Sequence, residues 1–145
     1  MPSARCQIEL KVPADKAWAY AADPSRLPRW WPAVERVDRT NDESYTRWVM
    51  SPRGRAVPMA FRLAELEAGH KVIWQQDLAG TAFARSVRSS QETIEVVPSA
   101  GGSTVDISIK RRLKGTARLG SILVHRGQRR ELSAAAENLK ANLDG

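Results

Sequence analysis

The stretch Pro24-Ser-Arg-Leu-Pro-Arg-Trp-Trp-Pro-Ala-Val-Glu-Arg-Val37 sets two adjacent tryptophans between two prolines. Asp23 stands just before it, and an acidic acceptor followed by proline is a typical start of a helix. Pro28 lacks the backbone donor that a continuing helix needs, and Pro32 disfavours the helical conformation at Trp31. The stretch therefore predicts a helix of one or two turns that is kinked and ends at Trp31.

The residues on either side predict one strand and one helix before this stretch, and strands followed by a long helix after it. Alternating apolar residues indicate a half-buried strand over 5–12, and helical spacing indicates a short helix over about 14–22. A final helix of roughly 20 residues ends the chain. Strands joined by hairpins, with the helices set apart, are typical of one α+β domain, here 1–145, with an antiparallel sheet. The later strands are predicted at 34–39, 44–50, 57–63, 72–76, once or twice within 82–97, and at 105–113.

The net charge of +7 comes from one segment, residues 107–130, which holds eight basic residues and none of the 16 acidic ones. Arg126, Arg129 and Arg130 fall at a spacing that places them on one helix face. One interpretation is an anionic partner, such as an acidic lipid head group, a phosphopantetheine arm or RNA; the other is a solvated face. The segment has no aromatic residue on which unpaired bases could stack, which argues against nucleic acid.

Several classes of site are not indicated by the sequence. Cys6 is the only cysteine and lies in no Cys/His cluster with metal-ligand spacing, so neither a metal nor a cofactor is predicted. His125 is expected at the surface, because no carboxylate lies at helical spacing from it. No apolar run approaches the roughly 18 residues of a membrane span, and no signal peptide opens the chain. The expectation is a cytoplasmic protein for which no catalytic residue can be named.

Four short segments, taken with the order of the elements, indicate a family. They are Val12-Pro-Ala-Asp-Lys-Ala-Trp18, Asp23-Pro24, Trp30-Trp31-Pro32 and Gly101-Gly-Ser-Thr-Val105. With them, nearly the whole chain resembles the START-like superfamily, and more narrowly its bacterial polyketide cyclase/dehydrase proteins. The resemblance implies a helix-grip fold, in which a curved antiparallel sheet wraps around the C-terminal helix and leaves a cavity. It also implies an apolar or amphipathic small-molecule ligand, such as a lipid or polyketide, and leaves open whether the protein is an enzyme or a carrier.

In such a fold, the large side chains on the inner strand faces and on the last helix are candidates for ligand binding. Gln76 is the candidate for orienting a ligand because it shares the face of Trp74, and Arg47 is expected in solvent because it alternates with Trp48. The residues alone do not distinguish a filled core from a cavity, whereas the resemblance favours a cavity. The candidates are Trp48, Met50, Met59, Phe61, Trp74, Gln76, Ile107, Ile122 and Leu123.

Trp30 and Trp31 have two interpretations. They either plug the core and fix the short helices onto the sheet, or one of them lines the cavity or its mouth. The alternative function, from another class, is a macromolecular-interaction module that uses residues 107–130 on RNA, the ribosome or an acidic protein. A homodimer is a further option.

Overall fold

The computed structural model describes residues 3–114 and 121–144, and for residues 82–83 and 121–125 it describes the backbone alone. Within this part of the chain, seven strands and three α-helices follow one another, with one-turn 3-10 helices at Pro24–Arg26 and Ala82–Arg85. The elements are β1 (Ser3–Leu10), α1 (Ala14–Ala21), α2 (Leu27–Trp30), β2 (Val34–Asn41), β3 (Ser44–Met50), β4 (Ala56–Glu67), β5 (Lys71–Asp77), β6 (Val87–Ser99), β7 (Gly102–Leu113) and α3 (Ser121–Asp144).

The strands form one antiparallel sheet in the order β1-β7-β6-β5-β4-β3-β2. Strands β1 and β2 are neighbours in the sequence but lie at opposite edges, so the helices between them cross the sheet. Helix α1 contacts β6 and β7, α2 contacts β2 and α3, and α3 packs mainly on β1. The predicted α+β fold, a curved antiparallel sheet around a long C-terminal helix, is confirmed.

The start of the proline-rich stretch is built as the sequence predicts. The carboxylate of Asp23 accepts hydrogen bonds from the backbone N–H of Ser25 at 3.0 Å and from its hydroxyl at 2.6 Å. Trp31 leaves the helical region with ψ of 128°. Ala33 then adopts a φ of +63°, which turns the chain into β2. This local geometry ends α2 at Trp30 and leads the chain directly into β2.

Helix α3 holds α2 in place through two asparagines. The Asn138 side-chain amide donates to the backbone carbonyl of Trp30 at 3.0 Å, and that of Asn142 donates to the carbonyl of Arg29 at 2.8 Å. These bonds satisfy carbonyl groups that the end of a helix leaves without partners. The Trp30 side chain is buried in the core beside α3, with its ring in an edge-to-face contact with Trp31 at 5.4 Å.

The hairpin between β6 and β7 makes a close approach to β1. Gly101 and Gly102 have φ of +85° and +155°, a backbone conformation that favours glycine. A Cβ atom at Gly101 would meet open space, whereas one at Gly102 would overlap the carbonyl oxygen of Leu10. The second glycine is therefore required by packing as well as by conformation.

The predicted orientation of β3 is wrong. Trp48 lies on the outer face of the sheet, where its indole donates to Asp38 at 2.9 Å and the Arg36 guanidinium stacks on its ring at 4.5 Å. Met50 is two residues further along β3, so its side chain lies on the same outer face. Neither residue therefore reaches the space between sheet and α3.

The inner face of β3 instead carries Tyr45 and Arg47, both buried. The Tyr45 ring stacks on Phe61 at 5.2 Å and meets Trp74 edge-to-face at 4.9 Å. Burial of this aromatic cluster stabilises β3 in one orientation, and Arg47 follows Tyr45 inward because strand side chains alternate. The expectation that Arg47 lies in solvent is therefore wrong.

Candidate functional site

A cavity of about 390 Å³ lies between the sheet and α3. Strands β3, β4, β6 and β7 line one side, α3 lines the other, and the residues that follow α2 complete the wall. The lining contains both apolar and charged side chains. Its apolar residues are Trp31, Pro32, Ala33, Val49, Met59 and Ala134, and its charged residues are Arg47, Glu92, Arg111, Arg130 and Glu131.

A buried ion pair forms the inner end of the site. Two Arg47 nitrogens donate to the two Glu92 oxygens at 3.0 and 2.7 Å, and one of them also donates to the Tyr45 hydroxyl at 2.8 Å. All three side chains are buried. The third guanidinium nitrogen, Nε, has no hydrogen-bond partner among the described residues. Forked geometry of this kind fixes both side chains and is the strong form of an ion pair.

Burial and the ion pair have opposite effects on the pKa of Arg47. Burial disfavours its positive charge, but Glu92 and Tyr45 outweigh that effect and the pKa of the guanidinium is raised. Burial raises the pKa of the Tyr45 hydroxyl to about 12, although Arg47 beside it acts in the opposite direction. At neutral pH the inner end therefore carries a positively charged guanidinium and a protonated hydroxyl.

Aromatic rings complete the surroundings of this pair. The Arg47 guanidinium carbon lies 4.3 Å from the centre of the Phe61 ring and 5.1 Å from that of Trp31. Cation–π attraction adds to the ion pair at these distances. Arg47 thus links the sheet to the tryptophan that follows α2.

Glu131 on α3 is the second carboxyl group of the cavity. Its Oε2 accepts a hydrogen bond of 2.6 Å from the indole N–H of Trp31. Burial raises the pKa of Glu131, and the negative charge of Glu92 adds to the effect. The Trp31 hydrogen bond and the charges of Arg111 and Arg47 oppose it. The result is a carboxyl group whose proton is held more tightly than in water.

Arg111 on β7 and Arg130 on α3 bring two further guanidinium groups to the lining. The Nε of Arg111 donates to the Ser90 hydroxyl at 3.3 Å, which positions its side chain. Arg130 is exposed on α3. Arg126 and Arg129, which the sequence analysis grouped with it, are also exposed but are not part of this lining.

The other predicted site residues are divided between the core and the cavity. Trp31 and Met59 line the cavity, and Phe61 supports Arg47. Buried residues outside the lining are Trp30, Trp74, Gln76 and Ile107. The Gln76 side-chain nitrogen has no hydrogen-bond partner among the described residues. The side chains of Ile122, Leu123 and His125 lie outside the described part of the chain.

Sequence reasoning missed both acidic residues of the site. Glu92 was not among the predicted site residues, yet it is buried beside Arg47. Glu92 lies on the same face of β6 as Ile94 and Val96, which follow it at every second position. This spacing is the signal that could have placed it inside. Glu131 lies four residues before the buried Ala135 and eight before the buried Leu139, and this helical spacing is the signal that could have placed it inside.

The described residues contain neither a metal-binding cluster nor a membrane-spanning helix. No group of three or more histidine, cysteine, aspartate or glutamate side chains there is arranged to hold a metal ion. None of the helices described is both long and apolar enough to cross a membrane.

The family is identified by sequence. Residues 1–144 match the model of the family described as polyketide cyclase / dehydrase and lipid transport, and the chain belongs to that family. A search of curated proteins gave no match.

Solved structures show the same fold. The chain is similar to the di-domain ARO/CYC BexL from the BE-7585A biosynthetic pathway, with a TM-score of 0.81 and 23% identity over 99% of this chain and 47% of that one. It is similar to the di-domain ARO/CYC StfQ from the steffimycin pathway, with a TM-score of 0.77 and 13% identity over 99% of this chain and 50% of that one. It thus spans about half the length of both. A START superfamily protein from Mycobacterium smegmatis has a TM-score of 0.73 and 12% identity, with 98% of this chain and 97% of that one covered.

Proposed function

We propose that the chain binds an amphipathic small molecule in the cavity between sheet and α3. The apolar part of the ligand packs against Trp31, Val49 and Met59, and its oxygen atoms lie near Arg47 and Glu131. The observation that carries this proposal is the combination, in one cavity, of an apolar wall with a few buried charged groups.

The size of the cavity favours a ligand of a few rings or a chain of medium length. Its 390 Å³ fall at the lower end of the roughly 300 to 1,000 Å³ of small-molecule sites. The family description names polyketides and lipid transport, which supports a ligand of this chemistry. Two of the similar structures are ARO/CYC proteins of biosynthetic pathways.

Binding is tested with N-phenyl-1-naphthylamine, an uncharged probe whose fluorescence rises in apolar surroundings. Wild-type protein should bind about one probe per chain. Ala134 lines the cavity, so Ala134→Trp should fill it and abolish the signal. Ala60 is exposed on β4 outside the lining, which makes Ala60→Trp the matched control. Equal binding by wild type and both variants would place the probe elsewhere and overturn the proposal.

A cyclase or dehydrase activity is the second candidate, and Glu131 is the observation that favours it. A carboxyl group with a raised pKa in a cavity can exchange a proton with a bound carbonyl compound. The test is deuterium incorporation at the methylene of ethyl benzoylacetate, which reports enolisation. Wild type should exceed the buffer rate, and Glu131→Gln should lose the excess while still binding the naphthylamine. Equal rates of deuterium incorporation with wild type, with the variant and in buffer alone would contradict the activity and favour a carrier function.

The alternative of a macromolecular-interaction module stays a prediction. Arg126 and Arg129 are exposed on α3 and would be available to RNA or to an acidic protein. Reversing both charges should abolish such an interaction and leave naphthylamine binding unchanged. Loss of probe binding instead would assign these arginines to the small-molecule site.

A further inference from the structure

Two arginines from the last two elements of the chain, β7 and α3, line the same cavity. Arg111 lies near the end of β7, and Arg130 lies on the first half of α3, yet both contribute to the same lining. The hydrogen bond from Arg111 Nε to Ser90 positions the side chain. It leaves the two terminal guanidinium nitrogens without a partner among the described residues. These are the nitrogens with which arginine binds carboxylate and phosphate groups.

Neither arginine forms a close ion pair with an acid in the described part of the chain. All 16 acidic side chains belong to the described part of the chain. None of the ion pairs found in that part includes either residue.

The two acids that share the cavity are already engaged. Both oxygens of Glu92 accept hydrogen bonds from Arg47. Glu131 accepts a hydrogen bond from the Trp31 indole. The lining as a whole holds three arginines and two carboxyl groups. The site therefore carries an excess of positive charge beside an apolar wall.

We propose that the ligand is an amphipathic anion whose carboxylate or phosphate group binds between Arg111 and Arg130 while its apolar body packs against Trp31 and Met59. This inference rests on the proposed small-molecule function and adds the charge of the ligand. An anion supplies the oxygen acceptors that the two guanidinium groups lack. It also compensates the excess charge of the lining.

The test compares two probes with the same aromatic framework. N-phenyl-1-naphthylamine is neutral, and 8-anilinonaphthalene-1-sulfonate carries one anionic group. Wild-type protein should bind the sulfonate more tightly by about tenfold or more, the usual contribution of a charged hydrogen bond. Arg111→Gln with Arg130→Gln should remove this preference, so that the variant binds the two probes about equally. Dodecanoate, dodecyl phosphate and dodecanol, used as competitors, then distinguish a carboxylate from a phosphate.

The chain supplies a matched control for non-specific attraction. Arg126→Gln with Arg129→Gln removes the same charge from the exposed face of α3, outside the lining, and should keep the sulfonate preference. Equal binding of the two probes by wild type, or a preference that survives loss of Arg111 and Arg130, would overturn the inference and leave the proposed function intact. Failure of both probes to bind would overturn the proposed function, and the inference with it.

Discussion

The indole N–H of Trp31 donates to a carboxylate oxygen of Glu131 at 2.6 Å, which joins the residue after α2 to the middle of α3. This bond separates the roles of the two adjacent tryptophans. Trp30 is a core residue whose N–H has no partner among the described residues, and Trp31 lines the cavity. Trp30 is thus fully buried in the core, whereas Trp31 is buried and also part of the cavity lining.

The first prediction compares Trp31→Phe with Trp30→Phe. Both changes remove part of a buried ring, but only the first removes a hydrogen bond and leaves Glu131 without its donor. We expect Trp31→Phe to lower the free energy of unfolding by about 1 kcal/mol more than Trp30→Phe, measured by urea unfolding. Naphthylamine binding should weaken only in Trp31→Phe. Identical effects in both variants would mean that the hydrogen bond from Trp31 to Glu131 contributes neither to stability nor to probe binding.

The second prediction concerns the pH dependence of stability. Because the folded state raises the pKa of Glu131, it binds this proton more tightly than the unfolded chain does. The stabilisation is complete below the pKa of the unfolded chain and is lost as the pH rises through the raised pKa of the folded protein. Glu131→Gln cannot ionise and can still accept from Trp31. It should be more stable than wild type above that pKa, by a margin that shrinks as the pH falls.

This margin is measured by urea unfolding of both proteins from roughly pH 4 to pH 8, a range that contains the ordinary carboxyl titration at its lower end. The difference between them isolates Glu131, because the other carboxyl groups are common to both. A difference that does not change with pH would show that the fold leaves the proton affinity of Glu131 unaltered.

The third prediction concerns the buried ion pair. Arg47→Met leaves the Glu92 carboxylate buried without its partner and should lower the free energy of unfolding by about 3 to 5 kcal/mol. Adding Glu92→Leu removes the stranded charge and should recover most of that loss. If the single variant loses only about 1 kcal/mol, the pair behaves like an exposed one.

The fourth prediction uses the two glycines of the β6–β7 hairpin. Gly101→Ala should lower the free energy of unfolding by about 1 to 2 kcal/mol, because the positive φ at this position is its only unfavourable feature for alanine. Gly102→Ala should cost about 3 kcal/mol or more, since its Cβ also overlaps the Leu10 carbonyl of β1. Thermal unfolding of the two variants gives the comparison, and equal costs would contradict the close approach.

Most of the fold could be predicted because each element has its own periodic pattern. The strand predicted at 44–50 has the same bounds as β3 in the structure. The helix start at Asp23 was predicted from the pair Asp23-Pro24 alone. The face of β3 could not be decided in the same way. Tyr45 and Val49 alternate with Trp48 and Met50, so both faces of the strand are apolar. The partners that decide between them lie on β4, β5 and β6, far along the sequence.

The site was less predictable, because its two buried charged groups, Arg47 and Glu92, are inside only as a pair. Arg47 is buried because Glu92 compensates its charge from 45 residues away. No local pattern in either strand shows that pairing. The apolar members Trp31 and Met59 were predicted, since size and alternation suffice for them.

Trp31 also makes the protein its own optical reporter. The chain has five tryptophans, and Trp31 alone among them lines the 390 Å³ cavity. Its indole is bonded to a carboxyl group that can lose its proton, so the excited state of this ring is sensitive both to a bound molecule and to that proton. Keeping Trp31 while replacing the other four with phenylalanine would yield a single-tryptophan protein whose emission follows occupancy and protonation without any added label.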